Sequence, residues 1–271
     1  MLKLMKAIIG ALVISLAQSS YAQSPDVAPE PSSEIDPFEL LELTSEYIEA
    51  KSSIELGWFV TYDVPLEGGA EQTLTWGGES ILTRGRGYYA VSERGDSVKE
   101  YYYDGETFTA RDLGENYHAT VPVSGDFDTL VKTLQDDHGL TLPVWEMMST
   151  NLSDDMLGDV TGGANLGLTR VMGQWAYHLS FTEPEQDWEI WISADDEKPL
   201  PLMMAGRYND EAKTQYQALF HKWSFKPRRK RSTFKLKRKP TERKIPFATL
   251  KAAQSPGGDF ETDAMSSSDD K

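Results

Sequence analysis

Between residues 36 and 250 the apolar positions change period three times, and each change marks a change of element. The first segment has helical spacing. Asp36 suits an N-cap and Pro37 the first helical position, while Phe38, Leu41 and Ile48, with Tyr47, form a stripe that predicts a helix ending near Ser52. From "SIELGWFVTYDV" onward the period becomes two, and "EQTLTWGGESILTRG", "GYYAVSER", "SVKEYYYDGETFTARDL" and "NYHATVPV" continue as short strands. Asp104-Gly105 signals a two-residue hairpin turn, and Gly77-Gly78 a bulge or bend. A helical interlude follows. Its first helix has Ser124 or Asp126 as cap, Phe127, Leu130, Val131 and Leu134 as stripe, and Gly139 as stop. "LPVWEMMSTNLSDDMLGDV" predicts two shorter helical turns. Strands then resume through "GLTRVMGQWAYHLSFTE", "QDWEIWISAD", "PLPLMMAGRYN" and "TQYQALFHKWSFK", and "RKIPF" closes the domain as a short strand. Consecutive hairpins make an antiparallel topology the economical one, so the expected class is α+β with one strongly curved antiparallel sheet.

The ends have a different character. Lys3 and Lys6 precede an apolar run from Ala7 to Ala17, and Ser20-Tyr21-Ala22 has the small-x-small form of a cleavage site. That pattern predicts a secretory signal over 1–22, cleaved after Ala22, and a periplasmic protein. Residues 23–35 are rich in proline, serine and acid and read as a flexible leader; 251–271 read as a disordered acidic tail. One domain with a sizeable core, over 36–250, remains. There is no cysteine, which excludes disulfides and lipid attachment through a cysteine.

Charge is segregated. The formal net charge is −16, yet Lys226 to Lys244 holds eleven basic residues against one acid, Glu242. Such a strip either folds back onto acidic strands or meets anionic lipid headgroups, with Lys235, Lys237, Arg238 and Lys239 as the candidate surface-binding residues. The acidic body and the export signal argue against nucleic acid as partner.

Signals for catalysis are weak. His118, His138, His178 and His221 fall singly, no His-Glu-x-x-His occurs, and the adjacent pairs Asp136-Asp137, Asp154-Asp155 and Asp195-Asp196 do not face one another in a strand or a helix. No enzyme class, metal site or cofactor emerges, and a non-catalytic binding protein is expected.

The aromatic and methionine residues say more. "DWEIWI" places two tryptophans inside six residues; in a strand Trp188, Ile190 and Ile192 share one face and Trp191 takes the other beside Asp187 and Glu189. Core packing accounts for most such residues. The alternative is a groove between the sheet and a lid, in which Trp145, Met147, Met148, Met156 and Leu157 cover the apolar sheet face.

At "EYYYDGETFTARDLGENYHATVPVSGDFD", the "LP" opening the interlude, "WAYHLSF", "DWEIWISADDEKPLPLMM" and the closing "RKIPF", the chain resembles a family of predicted periplasmic proteins. That family is grouped with the lipoprotein-carrier superfamily typified by the Lol carriers, and the match runs from about Asp36 to Phe247. The resemblance implies a LolA-like half-barrel of antiparallel strands with helices over its concave face, where carriers of the superfamily hold acyl chains. It implies that Trp58, Val60, Leu74, Trp76, Trp188, Ile190 and Ile192 face the cavity. Trp191 would then lie on the convex side, packed by neighbouring strands or by stems of the basic strip. The ligand-binding set expected is therefore Trp58, Trp76, Trp145, Met147, Met148, Met156, Trp188 and Ile190. The expected partner is a lipid or lipoprotein acyl chain, or else a periplasmic protein recognised by a module whose cavity is filled by its own side chains.

Overall fold

The computed structural model describes residues 35–66, 69–209, 214–225 and 229–249. The expected signal segment, the leader up to residue 34, the acidic tail, and Lys226 and Arg228 of the basic strip lie outside the described residues.

Helix α1 (Pro37–Glu49) is followed by six strands: β1 (Ser53–Pro65), β2 (Glu71–Thr83), β3 (Gly87–Arg94), β4 (Ser97–Tyr103), β5 (Thr107–Asp112) and β6 (Tyr117–Pro122). The interlude holds α2 (Phe127–His138), a single 3-10 turn (Trp145–Met148) and α3 (Leu152–Leu157). Strands β7 (Gly162–Val171), β8 (Gln174–Thr182), β9 (Gln186–Ser193), β10 (Pro201–Tyr208) and β11 (Gln215–Ser224) come next, and a second 3-10 turn (Arg231–Phe234) leads to β12 (Arg243–Ile245). All strands join one open, curved 12-stranded sheet in the order β12-β6-β5-β4-β3-β2-β1-β11-β10-β9-β8-β7.

Local chemistry explains the element ends. The Asp36 carboxylate accepts from the Phe38 and Glu39 amides at 2.8 and 3.3 Å, and Pro37 follows it. Helix α1 stops at Glu49, short of the expected Ser52, because Ser53 is already taken into β1. Its buried face includes Leu40, Thr44 and Ser45 as well as Leu41 and Ile48; Thr44 is tolerated there because its hydroxyl donates to the Leu40 carbonyl at 2.9 Å. Asp126 caps α2 through the Thr129 amide at 2.8 Å, and Gly139, with φ of 61°, ends it in the left-handed conformation.

Two turn expectations need correction. The β4–β5 connection has three residues, Asp104 to Glu106, because the Asp104 carboxylate accepts from both the Glu106 and the Thr107 amides. Gly77 and Gly78 carry no bulge, since the β1–β2 register runs unbroken through them. Gly78 instead makes room: a Cβ there would lie 2.6 Å from the Trp58 ring. The register break falls on the other side of β1, between Gly57 and Trp58 against β11.

The main core lies on one face of the sheet. Trp58, Tyr88, Tyr101, Phe108, Phe181, Trp188, Ile190 and Ile192 pack there with Leu41 and Ile48 of α1, with Phe127, Leu130 and Leu134 of α2, and with Leu142, Met147, Met148, Leu152 and Met156 of the segment after it. Trp191 takes the opposite face, as alternation requires. There it joins a small cluster of Val171, Ala176 and Leu202 and stacks on the His178 ring at 4.2 Å, while His178 reaches Glu189 at 2.8 Å. The basic strip does not reach it, because that strip ends against β6 at the far edge of the sheet.

The strip instead straps the opposite face of the first six strands. Arg229 meets Glu55 at 2.6 Å, Lys235 meets Asp104 at 3.0 Å, and Phe234 is buried against Gly87, where a Cβ would clash with Phe234 and with the Tyr103 carbonyl. The strap arrives at the β6 edge from the middle of the sheet, so β12 pairs with β6 in parallel, the one departure from antiparallel order among the described strands. Glu242, the lone acid, fixes this arrival. It is 2% exposed, with Arg111 Nε at 3.0 Å, His118 Nδ1 at 3.4 Å and the Lys239 amide at 3.0 Å, while Arg111 also binds Glu100 at 2.9 Å. Removing one partner of such a buried pair costs about 3 kcal/mol or more. Urea denaturation of Glu242→Gln should show a loss of about that size; a loss under about 1 kcal/mol would mean that the strap does not depend on it.

Candidate functional site

Helices and sheet do not meet everywhere on the core face. A cavity of about 590 Å³ lies between the segment 141–159 and strands β1, β2, β9, β10 and β11. Its floor is Val60, Trp76, Trp188, Met204, Ala218 and Phe220, and its cover is Leu142, Trp145, Met147 and Met156. That volume is in the usual range for a small-molecule site, roughly 300–1,000 Å³.

Hydrogen bonds fix the base of the cover. The first amides of α3 have no cap from Asn151. They are met from α1 instead: Leu152 N–H donates to Glu49 Oε1 at 3.1 Å and Ser153 N–H to Ser45 Oγ at 2.9 Å, and the Ser45 hydroxyl itself donates to Glu49. Thr150 donates through its amide and hydroxyl to Asp128 of α2, and Arg84, from the β2–β3 turn, donates to the Ser149 carbonyl at 3.2 Å and to the Lys51 carbonyl at 3.1 Å. Val144, with φ of 46°, turns the chain into the 3-10 turn.

Of the residues expected from sequence, Trp76, Trp145, Met147, Met156 and Trp188 come together around this cavity. Trp58, Met148 and Ile190 do not line it and belong to the packed layer behind it. Trp58 is 1% exposed, donates to Ser80 Oγ at 3.1 Å and meets Trp76 edge-on at 5.9 Å, so it supports the floor. Phe220, Ala218 and Tyr216 escaped notice although they alternate in "YQALF". Lys235, Lys237, Arg238 and Lys239 are all exposed along the strap, Lys235 with its bond to Asp104. Among the described residues no three His, Cys, Asp or Glu side chains are placed to share a metal ion.

The polar groups of the cavity are acids. Glu146, Asp154, Asp155, Asp159 and Glu183 line it. Glu183 accepts from the Trp188 indole N–H at 2.5 Å and from Gln186 Nε2 at 3.2 Å, and Ser149 donates to Asp155 at 2.5 Å. Glu146 projects from the cover between two apolar residues, half-buried. Burial pushes its carboxyl from the ordinary 4.5 up to about 7, with the Asp155 charge adding to the effect against the pull of its own backbone amide. Burial also pushes the Tyr216 phenol up, so it stays protonated, and it donates to Gln186 at 3.4 Å.

A single open, mostly antiparallel sheet carrying helices on its core face defines an α+β protein, with an acid-ringed apolar cavity between the segment 141–159 and the sheet. The chain belongs to the DUF2092 family, described as predicted periplasmic proteins, whose profile matches residues 38–248. No curated protein matches it. It is similar in structure to an uncharacterised conserved protein of Thermus thermophilus, at 11% identity over 77% of this chain and 97% of the other with a TM-score of 0.41. The lipoprotein LppX of Mycobacterium tuberculosis is 13% identical over 70% and 95% of the two chains, with a TM-score of 0.36. A LolA superfamily protein of Nitrosomonas europaea is 9% identical over 74% and 98%, also with a TM-score of 0.36.

The raised Glu146 carboxyl has a signed consequence for stability. The folded state holds this proton more tightly than the unfolded state does, so the contribution is present below about 4.5 and is lost as pH rises to about 7. The full shift corresponds to up to about 3 kcal/mol, reduced by the solvent that reaches the half-buried group. Glu146→Gln should therefore gain stability over the unchanged protein at pH 8 and lose that advantage at pH 4, read from urea midpoints. An advantage independent of pH would contradict the assignment.

Proposed function

We propose that this protein is a soluble, non-catalytic periplasmic binding protein that takes an apolar group, a lipid or lipoprotein acyl chain, into the cavity above Trp76 and Trp188. In this reading residues 1–22 are removed after Ala22, residues 36–250 act as one domain, and the sheet serves as a half-barrel whose concave face the segment 141–159 covers. The observation that carries the reading is a cavity of about 590 Å³ floored by Trp76, Trp188 and Phe220 and roofed by Trp145, Met147 and Met156. Unbranched methionines at the roof adapt to chains of different shape. A chain of about sixteen carbons would gain roughly 12 kcal/mol gross on burial, at about 0.8 kcal/mol per methylene. Association and ordering remove much of that, leaving affinity near the micromolar range. The family description as predicted periplasmic agrees with the export signal.

Native mass spectrometry of the mature protein purified from a periplasm, beside an organic extract, tests this. A bound species of lipid mass is expected, and it should be lost in Trp145→Asp with the circular dichroism unchanged. A bare mass with no uptake of added decanol or lipopeptide would contradict the reading and favour a side-chain-filled module that recognises a protein.

The exposed Lys237, Arg238 and Lys239, with Lys235 beside them, would steer the protein to an anionic surface. Each cation near such a surface contributes about 1 kcal/mol. Changing all four to glutamine should weaken binding to phosphatidylglycerol vesicles by tenfold or more at low salt. Unchanged binding across a salt series would remove the strip from the mechanism.

A further inference from the structure

The cavity's apolar surface says that a chain can enter; its polar surface says what the chain can carry. Among the described residues no lysine, arginine or histidine lines the cavity, whereas Glu146, Asp154, Asp155, Asp159 and Glu183 do. Asp154, Asp155 and Asp159 are exposed, so they form the mouth, and Glu146 lies deeper. Three of the side-chain donors on the lining are committed elsewhere. The Trp188 N–H is held by Glu183, the Trp76 N–H by Ser92 and the Tyr216 hydroxyl by Gln186.

A second, independent feature points the same way. Tyr208 and Tyr216 line the same cavity with ring centroids 5.8 Å apart and planes tilted by 46°; Tyr208 is 44% exposed, and Trp145 is half-buried on the cover. Aromatic faces beside carboxylates attract ammonium groups through the ring quadrupole and the opposite charge together. A carboxylate, phosphate or sulfate in that place would meet five acids and, among the described residues, no basic side chain of the lining.

We propose that the cavity selects apolar chains whose head group at the mouth is cationic, an alkylammonium, and discriminates against the anions of free fatty acids. This rests on the reading of the cavity as the site for an apolar chain and narrows its ligand class. Asp154, Asp155 and Asp159 at the mouth and Glu146 below them act as counter-charge, Tyr208, Tyr216 and Trp145 as aromatic walls, and the floor receives the tail.

Three probes of one chain length separate the two ideas: decyltrimethylammonium, decanol and decanoate, each below its micelle-forming concentration, titrated at pH 8 and read by tryptophan fluorescence and calorimetry. The expected order is decyltrimethylammonium, then decanol, then decanoate, with at least tenfold between the first and the last. In Glu146→Gln/Asp159→Asn the ratio of cation to alcohol affinity should fall severalfold, whereas a structural effect would weaken all three probes alike. Decanoate binding as tightly as the cation would overturn the head-group selection and leave the apolar site standing. Saturable binding by none of the three would overturn both.

Discussion

The donor–acceptor bonds between α1 and the start of α3 hold the rest of the site in place. Helix α3 is too short to be stable alone and has no side-chain cap of its own. Ser45 and Glu49 supply what it lacks, and Asp128 and Arg84 fix the residues just before it. The cover is thus anchored at its base by hydrogen bonds rather than by filling the space above Trp76 and Trp188. Its buried residues, Met147, Met148, Leu152 and Met156, secure it to the core, and the half-buried Trp145 and Glu146 face the gap that remains.

Charge separation follows from the same architecture. The basic residues near the end of the domain are drawn over the face opposite the core, where Glu55 and Asp104 receive Arg229 and Lys235, while the strip's own Glu242 takes Arg111 of β5. Among the described residues, the acids of the cavity on the core face have no basic side chain beside them in its lining. One chain therefore offers two unlike surfaces. An exposed basic edge lies near β6, and an acid-ringed apolar cavity lies around β1, β9, β10 and β11.

Elements governed by neighbours in sequence were legible. The caps at Asp36 and Asp126, the stop at Gly139, and the alternation that divides Trp188 from Trp191 all depend on spacing within a few residues. Features set by the particular contacts of one side chain, local or distant, were not. Asp104-Gly105 reads as a tight hairpin until the Asp104 carboxylate takes two amides of its own loop, and Gly78 reads as a bulge until the Trp58 ring lies over it. The parallel pairing of β12 depends on Glu242, whose burial against Arg111 and His118 joins residues more than a hundred positions apart. In the site, the family resemblance implied the floor tryptophans, but neither it nor period two could separate Trp76 and Trp188, which reach the cavity, from Trp58 and Ile190, which lie behind it. That distinction depends on where the cover stops. Glu146 had no signal beyond being an acid between Trp145 and Met147.

The central claim is that the space under the cover admits an apolar chain. Bromine quenches tryptophan fluorescence only at close range, so 10-bromodecanol titrated into the mature protein reads this directly. Saturable quenching beyond that of unlabelled decanol, abolished in Trp76→Phe/Trp145→Phe/Trp188→Phe, is the predicted result. No saturable quenching, or quenching that survives removal of all three lining tryptophans, would contradict it.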